Sequence, residues 1–279
     1  MFKLLMTALF FNLLTTSMLF ASIDFKEGLL LVPTAKLPLI NELKQLELRF
    51  KQSDSHSGFL LSLYYLQQEK TLDKAIKYLN ESMNMGNANA SIILGVMSFR
   101  GIYLEKNTNK AISYMSKASN KNNNLAAYNL GVLYLQTQDY DKAVKTFTIA
   151  SNNGFSTSQH VLGGLYLMGN KIPKDIEKAV YFLSLAAKQN DYKAAYMLGV
   201  IHVQSDYGVE NKVLAQYYFE KSANLGDVEA MYNLGIMYLD GDGIAKDKDK
   251  ALFWLDKAIS GGFRISAEIL IELEQLRTN

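Results

Sequence analysis

The sequence of 279 residues contains no cysteine. This absence excludes disulfide bonds, a cysteine nucleophile, a thiolate zinc site and a lipoprotein anchor. The sequence also lacks the G-x-S-x-G, H-E-x-x-H and S-x-x-K motifs, which accompany common hydrolase and metalloprotease sites. We therefore expect no catalytic residues and no enzymatic activity.

Histidines are also scarce, and the charge is nearly balanced. The three histidines, His56, His160 and His202, have no partner at the spacing of a helical metal site. An aspartate-rich loop at 240–249 resembles a calcium loop, but lysines alternate with its carboxylates, which favours a solvated loop. The net charge is +2, and the lysines form no basic stripe. The sequence predicts no metal, no cofactor and no nucleic-acid partner.

What the sequence does contain is a recurring Leu-Gly phrase. Its five glycines lie 36, 32, 36 and 36 residues apart, and each leucine follows a small residue by four positions. The glycines are Gly95, Gly131, Gly163, Gly199 and Gly235, and the small residues are Ala90, Ala126, Ser158, Ala194 and Ala230. A fixed period of this size is typical of a solenoid, whose units stack on their neighbours.

A second phrase follows the first at a nearly constant distance. It begins with Lys-Ala or alanine alone, continues with an aromatic residue, and ends with glycine or asparagine. Glycine and asparagine readily adopt the left-handed conformation that closes a helix. The closing residues are Gly86, Asn122, Gly154, Asn190, Gly226 and Gly262. The two phrases predict a unit of helix, turn, helix, turn, in which the glycine of the first helix lets the second approach closely.

These residues resemble the Sel-1-like repeat, a branch of the tetratricopeptide-repeat superfamily. The unit from Ala230 to Ala258 matches that pattern almost throughout, whereas the unit from Ala126 to Phe155 looks like an ordinary tetratricopeptide repeat. The resemblance implies an all-α, right-handed α-solenoid of stacked helix-turn-helix repeats. We expect an N-terminal segment with a capping half-repeat at 22–56, six helix pairs at 57–265 and a polar capping helix at 266–279.

The N-terminus has the layout of a secretory signal peptide at 1–21. Lys3 precedes an apolar run that ends at Phe20, and small residues follow at Ala21 and Ser22. An uncleaved membrane anchor is the alternative, because the run approaches the ~20 residues that span a bilayer. Cleavage would leave no membrane span elsewhere in the chain. We therefore expect a bacterial protein of the periplasm or the exterior.

The remaining candidate site is a surface. The residues three positions before the glycine register, which we call the ring column, lie away from the packed arc of the first helix. The ring column comprises Phe59, Ile92, Tyr128, His160, Tyr196 and Tyr232, and beside it lie Arg100, Gln136, Gln204 and Asp240, as well as Lys193 and Glu229. Two interpretations remain open: the rings line a concave groove, or they pack between neighbouring units.

The sequence thus predicts a scaffold that holds a segment of another envelope or secreted protein in a groove, as an adaptor, assembly factor or regulator. Aromatic residues often carry the binding energy of protein interfaces, which supports this interpretation. One alternative is a β-lactamase-like, penicillin-binding Sel-1-like protein, although the relatives so described are rich in paired cysteines. Another is a module that binds peptidoglycan or another glycan. The oligomeric state is left open.

Overall fold

A computed structural model describes residues 40–66, 71–120 and 123–278. These residues form fourteen α-helices and two short 3-10 turns, and none of them lies in a β-strand. The helices are α1 (Leu43–Lys51), α2 (Ser55–Leu66), α3 (Leu72–Asn84), α4 (Ala88–Arg100), α5 (Thr108–Ser119), α6 (Asn124–Gln136), α7 (Tyr140–Asn152), α8 (Ser156–Met168), α9 (Ile176–Lys188), α10 (Tyr192–Val203), α11 (Lys212–Asn224), α12 (Val228–Asp240), α13 (Lys248–Ser260) and α14 (Ala267–Thr278). The predicted all-α fold class is confirmed.

The chain divides into two compact units, one ending at Ser158 and the other beginning at Gln159. In the first unit α1 packs on α2, and the pairs α2–α3, α4–α5 and α6–α7 stack in chain order. In the second unit the pairs α10–α11 and α12–α13 pack in the same way, and α9 packs on α10. The predicted signal peptide at 1–21 and most of the segment at 22–39 lie outside the described residues.

Most helices begin at an aspartate or asparagine that caps the first turn. In the first helices of the pairs, the side chains of Asn87, Asn123, Asp191 and Asp227 accept the backbone N–H of an alanine three residues later. That alanine is the small residue of the repeating phrase, and it is fully buried in each case. A cap of this kind contributes about 1 kcal/mol to a helix.

The glycine of each first helix contacts its paired helix closely. A Cβ atom added to Gly131 would lie 2.7 Å from the ring of Phe147, and one added to Gly199 would lie 2.6 Å from the ring of Phe219. At Gly95, Gly163 and Gly235 the added atom would meet Met115, Leu183 and Leu255 in the same way. The prediction that these glycines let the two helices approach is confirmed.

In three second helices, the lysine of the Lys-Ala phrase forms an ion pair with the aspartate that caps the same helix. The ammonium groups of Lys142, Lys178 and Lys250 lie 2.6, 2.9 and 3.3 Å from the carboxylates of Asp139, Asp175 and Asp247. The same ammonium groups lie 5.5, 5.2 and 5.0 Å from the ring centres of Tyr134, Tyr166 and Tyr238 on the paired helix. Each lysine therefore joins the two helices of a pair, although all three are solvent-exposed.

The second helices end at left-handed residues, as the sequence predicts. The residues Gly86, Gly154, Asn190, Gly226 and Gly262 all have φ between 63° and 99°. Asn122 lies outside the described residues.

The last helix, α14, is only partly covered. It buries Ile269 and Leu273, whereas Leu270 and Ile271 are 44% and 58% exposed. Arg277 near its end forms an ion pair with Asp256 of α13. The exposed face of this helix is therefore less polar than expected of a cap. No described helix has both the length and the apolar character needed to cross a bilayer.

Candidate protein-binding surfaces

The ring column lies largely inside the helix stacks. Phe59 and Ile92 are 1% and 0% exposed, Tyr128 and His160 are each 6% exposed, and Tyr196 and Tyr232 are half-buried. Burial raises the pKa of the Tyr128 hydroxyl to about 12, as expected for a phenol held away from water. These side chains cannot form an exposed ladder of rings.

Where the residue directly after the closing glycine or asparagine of a second helix, which we call the junction residue, is phenylalanine, a tyrosine of the ring column packs against it. In the first unit the rings of Tyr128 and Phe155 lie 5.9 Å apart, and in the second the rings of Tyr232 and Phe263 stack at 4.5 Å. The Tyr128 ring also lies 5.8 Å from Phe147, which is fully buried on the paired helix. These two tyrosines are therefore packing residues at the junction of successive repeats.

Where the junction residue is aspartate, as at Asp191 and Asp227, the ring-column side chain lies beside a carboxylate. The Nδ1–H of His160 donates to the carboxylate of Asp191, at 3.1 and 3.2 Å to its two oxygens. Burial acts to raise the pKa of Asp191, but the hydrogen bond and charge of His160, with two backbone N–H groups, outweigh it and lower that pKa. The same carboxylate caps the N-terminus of α10, so one side chain both caps a helix and joins two repeats.

Tyr196 and Asp227 occupy the corresponding places one repeat later. Burial and the nearby Asp227 charge raise the pKa of the Tyr196 hydroxyl, which also bonds the Asn233 side chain. Burial raises the pKa of Asp227 to about 6, although the N–H of Ala230 partly opposes it. Asp227 is 7% exposed and lacks the imidazole that stabilises the charge of Asp191.

The ring column therefore lies at the junction between repeats, and its burial supports the packing interpretation over the groove interpretation. A helix in a stack is covered on one side by its own pair and on another by the next repeat. The ring column faces that next repeat at the junction residue. Phe59, Tyr128, His160, Tyr196 and Tyr232 consequently offer a partner little or no ring surface.

The predicted polar residues beside the ring column are accessible at the C-terminal ends of first helices. Arg100 and Gln136 of the first unit are exposed, as is Asp240 of the second, and Gln204 is half-buried. In the first unit half-buried apolar side chains, Phe99 and Leu135, directly precede them. These ends combine polar groups with partly covered apolar groups, as protein interfaces do.

A row of exposed rings lies elsewhere, on the second helices of the second unit. Tyr181, Tyr217 and Phe253, which we call the outer rings, are 59%, 55% and 51% exposed. Each contacts the ring of the next residue edge-on, with centroids 5.1, 5.1 and 4.9 Å apart. The outer rings were not among the predicted site residues, although they belong to aromatic doublets that recur 36 residues apart in the sequence.

We expect Asp227→Asn to stabilise the protein at neutral pH. The folded state holds the Asp227 proton up to a pKa of about 6, above the ordinary 3.8, so wild-type stability falls as the pH rises between these values. The variant should gain on the order of 2 kcal/mol at pH 7, and little at pH 4. Asparagine caps α4 and α6 at the same register, so the helix cap is preserved.

Thermal melts of both proteins at pH 4 and pH 7 measure this difference. If the variant were more stable than the wild type by the same amount at both pH values, the raised pKa of Asp227 would be contradicted.

The Sel1 repeat model matches residues 88–123, 124–155, 156–191, 193–227 and 228–263, which together make up more than half of the chain. No curated protein matches the sequence.

Two solved structures show the same fold. One is c5321, a protective antigen present in uropathogenic Escherichia coli strains and displaying an SLR fold, with 25% identity and a TM-score of 0.71. The match covers 79% of this chain and 49% of c5321, so this chain spans about half the length of that protein. The other is a Sel1 repeat protein from Oxalobacter formigenes, with 23% identity, a TM-score of 0.59 and coverage of 80% and 99%. The chain belongs to the Sel1 repeat family.

Proposed function

We propose that the protein is an exported, non-catalytic scaffold that binds a segment of another envelope or secreted protein. The observation that carries this proposal is the contrast between Leu-Gly positions that recur unchanged and helix-end positions that vary within one chain. The leucine and glycine of the first helices recur without change from 94 to 235, whereas the residue five positions after the glycine changes. That residue is Arg100, Gln136, Met168, Gln204 and Asp240 in turn.

This contrast supports a binding role because solenoids of repeats present extended surfaces to partners. The core of each pair is the same in kind, so packing does not require the different residues at the helix ends. Within each unit these ends place side chains of different chemistry on a common scaffold. A peptide segment running across them would meet a distinct set of groups at each repeat.

Crosslinking in cells tests the binding role. A photoreactive amino acid at Gln136 or at Gln204 should yield adducts with one partner protein, identified by mass spectrometry. The matched control is Lys145, an exposed residue on the second helix of the same pair as Gln136. Adducts of equal yield at Lys145, or none at either test position, would contradict binding at the first-helix ends.

Export is tested separately by the mass of the purified protein. Because Lys3, the apolar run and Ser22 have the layout of a signal peptide, mature protein from the cell envelope should begin within a residue or two of Ser22. A Lys3→Glu variant should be processed more slowly, because the positive charge before the apolar run is lost. Recovery of intact Met1 to Phe20 in the membrane fraction would support an anchored protein instead.

A further inference from the structure

The outer rings are not required by the fold. The equivalent residues in the second helices of the first unit are Lys77, Ser113 and Lys145, and all three are exposed. This register therefore faces water in α3, α5 and α7, and polar residues suffice there. Three consecutive aromatic residues at a solvent register of the second unit need an explanation other than core packing.

The outer rings and their neighbours form an apolar surface whose area approaches that needed for a specific protein interface. A fully covered aromatic side chain buries about 150–250 Å², so three half-exposed rings leave roughly 300 Å² accessible. Val213 and Leu214, on the same helix as Tyr217, are 66% and 39% exposed and extend this area to roughly 400–500 Å². Two such surfaces in contact would bury roughly 800–1,000 Å², close to the minimum for a specific interface before any rim residue is added.

The charges beside the outer rings select one way of bringing two copies together. On α13, Asp249 lies four residues before Phe253 and Lys257 four residues after it, on the same face of the helix. If two copies meet with their second helices antiparallel, Asp249 of each faces Lys257 of the other. If the helices were parallel, with α13 over α9, Asp249 would face the acidic Glu177.

We propose that the protein forms a two-fold dimer through the outer rings, with each second helix of the second unit antiparallel to its counterpart. The contact is isologous, so the surface contributes twice and closes on itself. Lys257 already lies at this surface, with its ammonium 4.4 Å from the centre of the Phe253 ring. This dimer is independent of the proposed binding of another protein at the first-helix ends.

Sedimentation velocity tests the dimer, using protein purified after expression of the full chain. From about 1 to 100 μM the mass should approach twice that of the monomer. Tyr217→Lys should give a monomer with an unchanged melting curve, because lysine occupies this register in α3 and α7. The matched control, Ser113→Lys at the same register of α5, should remain a dimer. If Tyr217→Lys fails to fold, Tyr181→Lys should show the same loss.

Charge reversal tests the antiparallel arrangement. Asp249→Lys and Lys257→Asp should each raise the dimer dissociation constant at least ten-fold, and the double variant should recover most of the affinity at low salt. A wild-type protein that stays monomeric throughout the concentration range would overturn the proposal and leave the surface to a different partner. A dimer that Tyr217→Lys does not weaken, or a double variant without recovery, would also overturn it.

Discussion

Replacement of Tyr128 by alanine should cost about 3–5 kcal/mol of folding stability, the usual result of truncating a buried aromatic side chain. The ring is 6% exposed and lies between Phe147 of its own pair and the junction residue Phe155. Removing it leaves a cavity bounded by two rings that cannot both move to fill it. A thermal melt should show a transition lowered by roughly 10 °C.

Tyr128→Phe is the matched control for this change. It keeps the ring and removes only the hydroxyl, so its melting temperature should stay close to that of the wild type. If alanine at 128 leaves the melt unchanged, the ring column is not a packing junction. The groove interpretation would then be restored.

A second large effect is expected when Gly199 is replaced by leucine. Even the first added carbon would lie 2.6 Å from the ring of Phe219, and that ring is held by Tyr196, 5.9 Å away. The two helices of the pair would have to separate, at a cost of about 3 kcal/mol, the upper end of the usual range for overpacked cores. Denaturant titration measures the loss.

Gly199→Ala should give an intermediate loss, because it adds one carbon instead of four. Gln275→Leu introduces the same leucine side chain at an exposed position of the last helix and should be nearly silent. Equal stabilities for the Gly199→Leu and Gln275→Leu variants would show that the glycine does not set the distance between the helices.

The fold was predictable because the packing that defines it leaves a trace in every repeat. A glycine where two helices touch, an alanine beside a capping residue and a left-handed residue after a helix are each tied to one local geometry. Gly131 against Phe147 and Asn190 at φ 63° are examples that the structure places as expected. Such positions are restricted by sterics, which act over a few ångströms and do not depend on a partner.

The burial of the ring column was harder to predict, because the angular positions of residues on a single helix indicate only the face that packs on its paired helix. His160 lies well away from the arc that faces its paired helix, and from that angle it should meet solvent. It meets Asp191 instead, because a stacked helix has a second covered face. The missing signal was the junction residue, directly after the closing glycine or asparagine, which is aspartate after His160 and Tyr196 and phenylalanine after Tyr128 and Tyr232.

The outer rings could not be distinguished from core residues by type. Tyr181 and Phe182 are adjacent in sequence, and one is exposed while the other packs in a stack with Tyr166. Only a comparison of registers separates them, because the position of Tyr181 carries lysine or serine in earlier repeats. A solvent-facing side chain leaves no steric trace in the fold, so residue type alone does not reveal its position.

The contact between the ring column and the junction residue changes what counts as one interchangeable module of this chain. A gene duplication or a graft cut at the turns would separate Tyr196 from Asp227 and place its hydroxyl beside a different neighbour. A cassette that begins between a junction residue and the following ring-column residue, and ends at the same place one repeat later, would carry each contact intact. Repeat arrays assembled with breakpoints at that place should therefore have higher melting temperatures than arrays cut at the turns.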